Sequence, residues 1–142
     1  MRVEFHNLSE TKSLKFVVIQ ARYHDSWVFV RHKDRVTWEI PGGHIEENEL
    51  PDQAAKRELY EETRAIKFNL TPICDYSVTR NAHKSYGRLY FSKILTLGKL
   101  NSEYEMAELI LTKDMPQNLT YPEIQPHLFT KVIDSLVVKN NM

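Results

Sequence analysis

Three glutamates, Glu58, Glu61 and Glu62, lie three and four residues apart in a glycine-free stretch rich in strong helix formers. On an α-helix these spacings place side chains on one face, so the three carboxylates would be neighbours. Like charges at such spacings destabilise an exposed helix by about 0.2–0.5 kcal/mol per pair. A divalent cation removes that repulsion, and carboxylate oxygens are the ligands that Mg²⁺ and Mn²⁺ prefer. The triplet therefore indicates either a metal site or the solvated face of an ordinary helix.

The chemistry of the metal alternative is specific. A carboxylate-held Mg²⁺ can neutralise and orient a diphosphate and lower the pKa of an attacking water. A carboxylate beside that water can accept its proton. These are the tasks that attack of water on phosphorus requires, so the metal alternative predicts hydrolysis of a phosphoric anhydride.

The residues around this triplet form a longer pattern with fixed spacings. Seven positions define it, namely Gly43, Glu49, Arg57, Glu58, Leu59, Glu61 and Glu62. Their order and spacing resemble the Nudix box, G-x5-E-x7-R-E-U-x-E-E-x-G-U, in which U is a bulky aliphatic residue. A match at this many positions, directly after Pro41-Gly42, is far more specific than a lone glycine motif. The chain is therefore identified, by resemblance, as a member of the Nudix family.

Two positions depart from the box pattern. Arg64 stands where the pattern has glycine, and Ala65 is a small version of the expected aliphatic residue. A glycine after a helix relieves backbone strain, so Arg64 predicts either a strained non-glycine residue or a differently ended helix. Asn48, often glycine in relatives, can adopt a left-handed conformation. The departures concern the loops and leave the carboxylates in place.

The resemblance implies both a fold and an activity. The fold expected is an α/β Nudix fold, an α/β/α sandwich around a mixed β-sheet, in which the box forms a loop–helix–loop. The activity expected is Mg²⁺-dependent pyrophosphohydrolysis, with Mn²⁺ as a possible substitute, of a nucleoside triphosphate to monophosphate and diphosphate. An oxidised purine nucleotide is one candidate substrate. The alternatives are hydrolysis of ADP-ribose or another nucleoside diphosphate conjugate, and a non-catalytic nucleotide-binding module.

Carried over residue by residue, the resemblance also assigns roles. The metal ligands expected are the carbonyl of Gly42 and the carboxylates of Glu58, Glu61 and Glu62, with Glu58 also the candidate general base. Glu49 and Arg57 match positions at which the arginine holds carboxylates and fixes the loop against the helix. An additional glutamate is expected from a distant loop, and the candidates, each of which is otherwise a solvated surface residue, are Glu103, Glu105 and Glu108.

Residues outside the box are candidates for binding the substrate. Arg22 and Arg31 lie with other basic residues around the first predicted hairpin and are candidates for binding phosphates, although solvated positions are equally compatible with the sequence. Asn118 and Glu123 are candidates for hydrogen bonding to the base, with loop and helix-cap roles as the alternative. Aromatic residues that could stack on a ring, or belong to the core, are Trp27, Tyr76, Tyr86, Tyr90 and Phe91.

The elements that must position these residues can be predicted from periodicity and residue type. A hairpin is expected from 14–23 and 27–32, a sharp turn at 41–43, and a helix over 51–63 with Pro51 at its first position. Further strands are expected within 67–80, 86–97 and 109–112, and a closing helix over 122–138.

Size and composition limit the class of protein. The 142 residues, with 42% hydrophobic and 27% charged, are typical of one domain spanning residues 1–142. A formal net charge of zero argues against a polymeric nucleic acid as partner, so a small-molecule nucleotide is expected instead. The lone Cys74 is expected to be a buried hydrophobe, and no apolar run suggests a membrane span. A cytoplasmic monomer or homodimer is expected.

Overall fold

The computed structural model describes residues 1–9, 13–99 and 106–140. The described part of the chain forms strands β1 (Arg2–His6), β2 (Leu14–Tyr23), β3 (Ser26–His32) and β4 (Gly42–His44), helix α1 (Pro51–Thr63), strands β5 (Ala65–Phe68), β6 (Thr71–Arg80), β7 (His83–Leu97) and β8 (Met106–Thr112), and helix α2 (Gln125–Asn140).

The strands form one mixed sheet, as expected. Its order is β1-β6-β7-β2-β3-β8, with β4 added to β2 and β5 added to β7. The central strands β2 and β7 are parallel, with Val18 opposite Leu89, and the other strand pairs are antiparallel. Since β2 also pairs with β4, the centre of the sheet lies directly beneath the glycines of the box.

The predicted hairpin is formed by β2 and β3, whose register runs from Ala21 opposite Val28 to Tyr23 opposite Ser26. His24 takes a φ of 54° in the turn between them. Along β3, residues 27–30 are all buried, because helices cover both faces of the central sheet. A continuous apolar strand is the expected sequence for that environment.

Two apolar layers, one on each face of the sheet, form the core. The layer beneath α1 consists of Val17, Ile19, Ala21, Val28, Ala54, Ala55, Leu59, Ala65, Tyr90 and Ile94. The layer beneath α2 includes Trp27, Phe29, Ile40, Cys74, Tyr76, Leu89, Leu119, Leu128, Phe129 and Val132. Because side chains alternate along a strand, β3 and β7 contribute buried residues to both layers. The expected α/β/α sandwich is confirmed, and Cys74 is the buried free cysteine that was predicted.

Helix α1 has the predicted bounds and a distinctive end. The side chain of Gln53 accepts a hydrogen bond from the N–H of Leu50 at 2.9 Å and so caps the first turn. The helix ends at Arg64, which has a φ of 63° and donates its N–H to the carbonyl of Tyr60. The first alternative for this position, a non-glycine residue in the left-handed region, is therefore confirmed. The Arg64 guanidinium lies 4.5 Å from the centroid of the Tyr60 ring, a contact that offsets part of the strain.

Several element bounds differ from those predicted. Residues 67–80 form two strands rather than one, because the Asn69 side chain and backbone both bond to the backbone of Lys93 and break the run. Strand β1, which was not predicted, pairs with β6 through Arg2–His6. The closing helix begins at Gln125 rather than residue 122, since residues 122–124 form a turn. Among the described residues, no helix has both the length and the apolarity to cross a membrane.

Candidate active site

Two carboxylates of α1 pack against the two glycines of β4, one against each. The Glu62 side chain is buried, and its Oε1 accepts a hydrogen bond from the N–H of Gly42 at 2.7 Å. The Glu58 carboxylate packs so closely against Gly43 that a Cβ at this position would collide with it. Strand β4 thus fixes where both carboxylates lie relative to the sheet.

The two glycines of β4 are required for space and not for an unusual backbone conformation. Neither Gly42 nor Gly43 has a positive φ. A Cβ on Gly42 would collide with the carbonyl oxygen of Val17 in β2. The two glycines therefore allow β4 to approach Val17 and Glu58 closely.

This packing makes Gly43→Ala an informative variant. If Glu58 is the general base that the resemblance implies, we expect kcat to fall by roughly 10- to 100-fold, because the added methyl group displaces its carboxylate. Gly98→Ala is the matched control, since the atom nearest to its added Cβ would be the flexible end of Ile66 at 3.2 Å. Steady-state kinetics and thermal melts of both variants test this. Equal activities of the two variants would contradict it.

Arg57 connects the loop of the box to the carboxylates of α1. Its Nε and Nη2 donate to the two oxygens of Glu49 at 2.7 and 2.9 Å, a bidentate pair. Its Nη1 donates to Glu58 at 2.8 Å and to Glu61 at 3.4 Å, and its Nη2 also donates to the carbonyl of His44 at 3.0 Å. One guanidinium therefore holds the loop, β4 and the helix in a single geometry.

The charges of this network shift pKa values in opposite directions. Hydrogen bonds from Arg57, and then from the N–H of Glu46, lower the pKa of Glu49 to about 2. The same bond to Glu49 raises the pKa of Arg57. Burial raises the pKa of Glu58, because its desolvation outweighs the nearby positive charge of Arg57. Glu49 is thus a structural anion, whereas Glu58 is a carboxylate whose ionised form is disfavoured by its surroundings.

A second polar cluster extends from Glu62 to the end of β3. The Nε2 of His32 lies 2.7 Å from Glu39 Oε1 and 3.8 Å from Glu62 Oε2. Arg35 Nη1 lies 3.3 Å from the other oxygen of Glu39. One ligand atom each from His32, Glu39 and Glu62 lie within 4.8 Å of one another. The cluster therefore links β3, the segment before β4, and α1. Its three ligand atoms are close enough together to bind one cation.

A cavity of about 610 Å³ opens beside these carboxylates. Its acidic end is formed by Glu39, Glu46, Glu58 and Glu62 together with Gly42 and Gly43. Its apolar wall includes Val18, Ile40, Tyr76, Val78, Ile124 and Leu128, and Gln125 lies in the same wall. Basic and polar residues at the cavity include Arg35, Arg80, His83, Ser85 and Tyr121. A cavity with carboxylates at one end, an apolar wall and cationic side chains can hold a flat ring and a polyphosphate together.

Comparison with known proteins decides the family. The model of the NUDIX domain family matches residues 9–114, which is most of the chain. The chain belongs to the Nudix family. The resemblance that was found from the box is confirmed, and so are the Nudix fold and the assignment to the Nudix hydrolases.

Three relatives place the chain within the Nudix proteins. It is 30% identical over 120 residues to "Putative 8-oxo-dGTP diphosphatase YtkD" of Bacillus subtilis, covering 84% of this chain and 75% of the relative. The crystal structure of a mutant of the Bacillus subtilis pyrophosphohydrolase BsRppH is similar with a TM-score of 0.78 and 26% identity, covering 94% of this chain and 90% of that one. The NUDIX domain of Shewanella oneidensis NrtR, complexed with ADP ribose, has a TM-score of 0.69 at 16% identity, covering 89% and 90%. The last likeness concerns the fold alone.

The structure brings together most of the residues predicted from the Nudix box. Gly42, Glu58 and Glu62 line the cavity, and Glu49 and Arg57 form the ion pair beside it. Glu61 is 44% exposed at its side chain and contacts Arg57 from the outer side of α1. Of the additional glutamates, Glu103 and Glu105 lie outside the described residues, whereas Glu108 pairs with Arg31 at 2.7 Å.

The predicted substrate-binding residues do not line the cavity. Arg22 lies over the ring of Trp27, and Arg31 is engaged by Glu108. Asn118 and Glu123 are exposed, and the backbone carbonyl of Asn118 accepts the N–H of Trp38. Their role in binding substrate stays a prediction.

Other cavity residues were not singled out from the sequence, or only as members of larger sets. His32 and Arg35 belong to the basic group around the hairpin, and Tyr76 to the aromatic candidates; all three line the cavity. Gln125 and Glu39 were missed. The available signal for Glu39 was its position just before Pro41-Gly42. The available signal for Gln125 was its position just after Glu123, a candidate for hydrogen bonding to the base.

Proposed function

We propose that this chain is a Mg²⁺-dependent pyrophosphohydrolase that cleaves a nucleoside triphosphate to the monophosphate and diphosphate. The observation that carries the proposal is the placement of Glu62 against Gly42 and of Glu58 against Gly43 at the acidic end of the cavity. This places carboxylates at one end of a space that can hold a nucleotide.

The donor set of the site fits a hard divalent cation. The carboxylates of Glu58, Glu61 and Glu62, with the carbonyl of Gly42, would hold Mg²⁺, and Mn²⁺ would fit the same oxygens. The buried Glu62 accepts the Gly42 N–H at Oε1, and its Oε2 lies 3.8 Å from His32 Nε2. When bound, Mg²⁺ neutralises the diphosphate and lowers the pKa of the attacking water.

The chain's own residues supply positioning and proton transfer. Glu58 is the proposed base, because it lines the cavity and its surroundings raise its pKa, which makes it a better proton acceptor than an ordinary carboxylate. Arg57 holds Glu58 and the loop in place through its bonds to Glu49 and His44. Arg35, Arg80 and His83 provide donors at the cavity that can bind phosphate oxygens.

Two lines of evidence support a triphosphate over a nucleotide conjugate. YtkD carries the name "Putative 8-oxo-dGTP diphosphatase" and BsRppH is named as a pyrophosphohydrolase, and both are more similar in sequence than the NUDIX domain of NrtR complexed with ADP ribose. The cavity is also lined by two arginines and by histidines, whose N–H groups can bind the oxygens of an extended polyphosphate. The proposed setting is the cytoplasm, where the free Cys74 stays reduced, and the proposed assembly is a monomer or homodimer.

A substrate panel tests this proposal. The purified protein is incubated with the four common nucleoside triphosphates, 8-oxo-dGTP, ADP-ribose and a dinucleoside polyphosphate, each with Mg²⁺, with Mn²⁺ and with a chelator. We expect metal-dependent release of monophosphate and diphosphate from triphosphates, resolved by ion-exchange chromatography. Cleavage of ADP-ribose alone would replace the substrate assignment, and no metal-dependent cleavage of any compound would overturn the enzymatic proposal.

A further inference from the structure

The buried face of α1 differs between the two halves of the helix. In the N-terminal half the buried side chains are Ala54 and Ala55, and in the C-terminal half they are Leu59, Glu62 and Thr63. A methyl group lets the helix approach the sheet closely, but it makes few contacts that resist a shift along the helix axis. Packing alone therefore fixes the start of α1 less firmly than its end.

Polar contacts tie the end of α1 to the sheet, whereas the cap at its start is local. Glu62 accepts the N–H of Gly42 in β4 at 2.7 Å. Leu50, which precedes the helix, has no polar atom in its side chain, and the bond from its N–H to Gln53 stays within the first turn. A different contact must hold the first turn against the sheet.

Tyr90 of β7 makes that contact. Its side chain is fully buried in the layer beneath α1, and its hydroxyl donates to Oδ1 of Asp52, the second residue of the helix, at 2.6 Å. Hydrogen bonds to a carboxylate are shorter and stronger than those between neutral groups. Burial, and then the bond to Asp52, raise the pKa of Tyr90, so the hydroxyl keeps its proton and donates. A directional bond therefore joins the centre of the sheet to the first turn of α1.

The strand that carries Tyr90 is held on both sides. Tyr90 lies opposite Ile19 of β2 and opposite Pro72 of β6. Two residues earlier on the same face of β7, Arg88 forms an ion pair with the buried Asp75 across to β6, with 2.7 Å between Nε and Oδ1. A side chain on such an element is a precise anchor, because its backbone is fixed by neighbouring strands.

We infer that Tyr90 is a positioning residue for the proposed reaction, because it holds α1 through Asp52 and so keeps Glu58 aligned against Gly43. The inference goes beyond the proposed function and rests on it. Asp52 and Glu58 lie on one helix, roughly 9 Å apart along its axis, so a shift of the first turn moves both. The close packing of Glu58 against Gly43 leaves no space to absorb such a shift. A displacement of about 1 Å at a catalytic group can cost about 100-fold in rate.

Tyr90→Phe tests this role, since it removes the hydroxyl and keeps the ring. With a triphosphate and saturating Mg²⁺, we expect kcat per folded molecule to fall by about 10-fold. We expect KM to stay within about 2-fold, because the proposed phosphate donors Arg35, Arg80 and His83 lie outside α1. Asp52→Ala should have the same effect. The double variant should be no slower than either single variant, since both changes remove one bond.

Two further variants separate the bond from other effects. Asp52→Asn keeps an acceptor oxygen for the Tyr90 hydroxyl but removes the charge near the helix N-terminus, and its kcat should lie within about 3-fold of wild type. Tyr60→Phe removes a hydroxyl from a tyrosine of the same helix that is 45% exposed, and it should leave kcat and KM unchanged. Asp52→Ala alters an exposed residue and leaves the core intact, so it tests the bond even where Tyr90→Phe folds poorly.

Circular dichroism at the assay temperature gives the folded fraction by which each kcat is divided. A merely structural Tyr90 would lower the melting temperature and leave kcat per folded molecule at the wild-type value. That result, independent losses that multiply in the double variant, or Asp52→Asn as slow as Asp52→Ala would each overturn the role of Tyr90 and leave the proposed activity in place. Wild-type protein that cleaves no triphosphate would overturn the proposed function itself.

Discussion

Glu58→Gln is expected to lower kcat by about 10³-fold or more and, at the same time, to raise the melting temperature of the metal-free protein. Loss of a general base costs about 10²- to 10⁴-fold, and the same change removes a proposed metal ligand. The melting temperature should rise because, in the wild-type protein, the ionised Glu58 carboxylate packs against Gly43 and its desolvation outweighs the attraction of Arg57. A neutral amide of the same shape avoids that desolvation and can still accept the hydrogen bond from Arg57.

The pH dependence gives this prediction a sign that can be checked. The folded-state pKa of Glu58 is raised, so its contribution favours folding below the unfolded pKa of about 4.5 and is lost as the pH rises through the folded pKa. Glu49 behaves in the opposite sense, since its pKa near 2 means that its contribution is lost only as the pH falls from about 4.5 toward 2. Both proteins keep Glu49. The melting temperature of Glu58→Gln minus that of wild type should therefore grow between pH 4 and pH 7.

Differential scanning calorimetry in a chelator provides the measurement. We expect a difference of a degree or more at pH 7, because about 1 kcal/mol shifts the midpoint of a domain of this size by roughly 2–8 °C. Glu61→Gln is the control for stability, because this carboxylate is 44% exposed and its removal should change the midpoint little. A midpoint of Glu58→Gln at or below that of wild type at pH 7 would show that Glu58 is not destabilised by burial.

The parts of the site that the sequence predicted are those formed by residues close in the chain. The 51–63 helix followed from residue type and from Pro51, and spacing on that helix placed Glu58 and Glu62 on one side. The contacts of Arg57 with Glu49 and Glu58 could likewise be expected, since loop and helix are contiguous. Local spacing is sufficient where one helix and its preceding loop carry the chemistry.

The remaining wall of the cavity depends on contacts between distant segments. Gln125 bonds to Ile40 across 85 positions in the sequence, and Tyr76 reaches the cavity from a strand that lies between them in the chain. No periodicity specifies which polar side chain of α2 or its preceding turn will face the sheet. Arg22 and Arg31 illustrate the same limit, because the hairpin was predicted while pairing with Trp27 and Glu108 turned them to other partners. Sheet register and helix docking decide such contacts.

The requirement for glycine at Gly42 and Gly43 also comes from tertiary packing. A glycine pair after a strand suggests unusual backbone angles, yet Gly43 is required because Glu58 occupies the space of a side chain. Conversely, Arg64 and Asn48 do take left-handed conformations without being glycine. Sequence identifies a position where backbone or space is restricted, but only packing shows which of the two restrictions applies.

Arg57→Lys is expected to destabilise the metal-free protein by roughly 2–3 kcal/mol, even though the positive charge is kept. Lysine has a single ammonium group and cannot reproduce the fork that bonds both oxygens of Glu49 together with Glu58 and the carbonyl of His44. Breaking a largely buried, hydrogen-bonded ion pair costs up to about 3–5 kcal/mol, and the retained charge offsets part of this. At roughly 2–8 °C per kcal/mol, the melting temperature should fall by at least several degrees.

Without the bidentate guanidinium of Arg57, the stability of the carboxylate cluster should depend more strongly on Mg²⁺. Because Glu49, Glu58 and Glu61 would repel one another more strongly, Mg²⁺ should raise the melting temperature of Arg57→Lys by more than it raises that of wild type. Arg31→Lys is the matched control, since its partner Glu108 is 56% exposed and such surface pairs contribute about 0–1 kcal/mol. Equal melting temperatures for the two lysine variants would mean that the bidentate geometry of Arg57 adds nothing to stability beyond its charge. The site would then be held in place by the packing of Glu58 against Gly43 and by the hydrogen bond from Gly42 to Glu62.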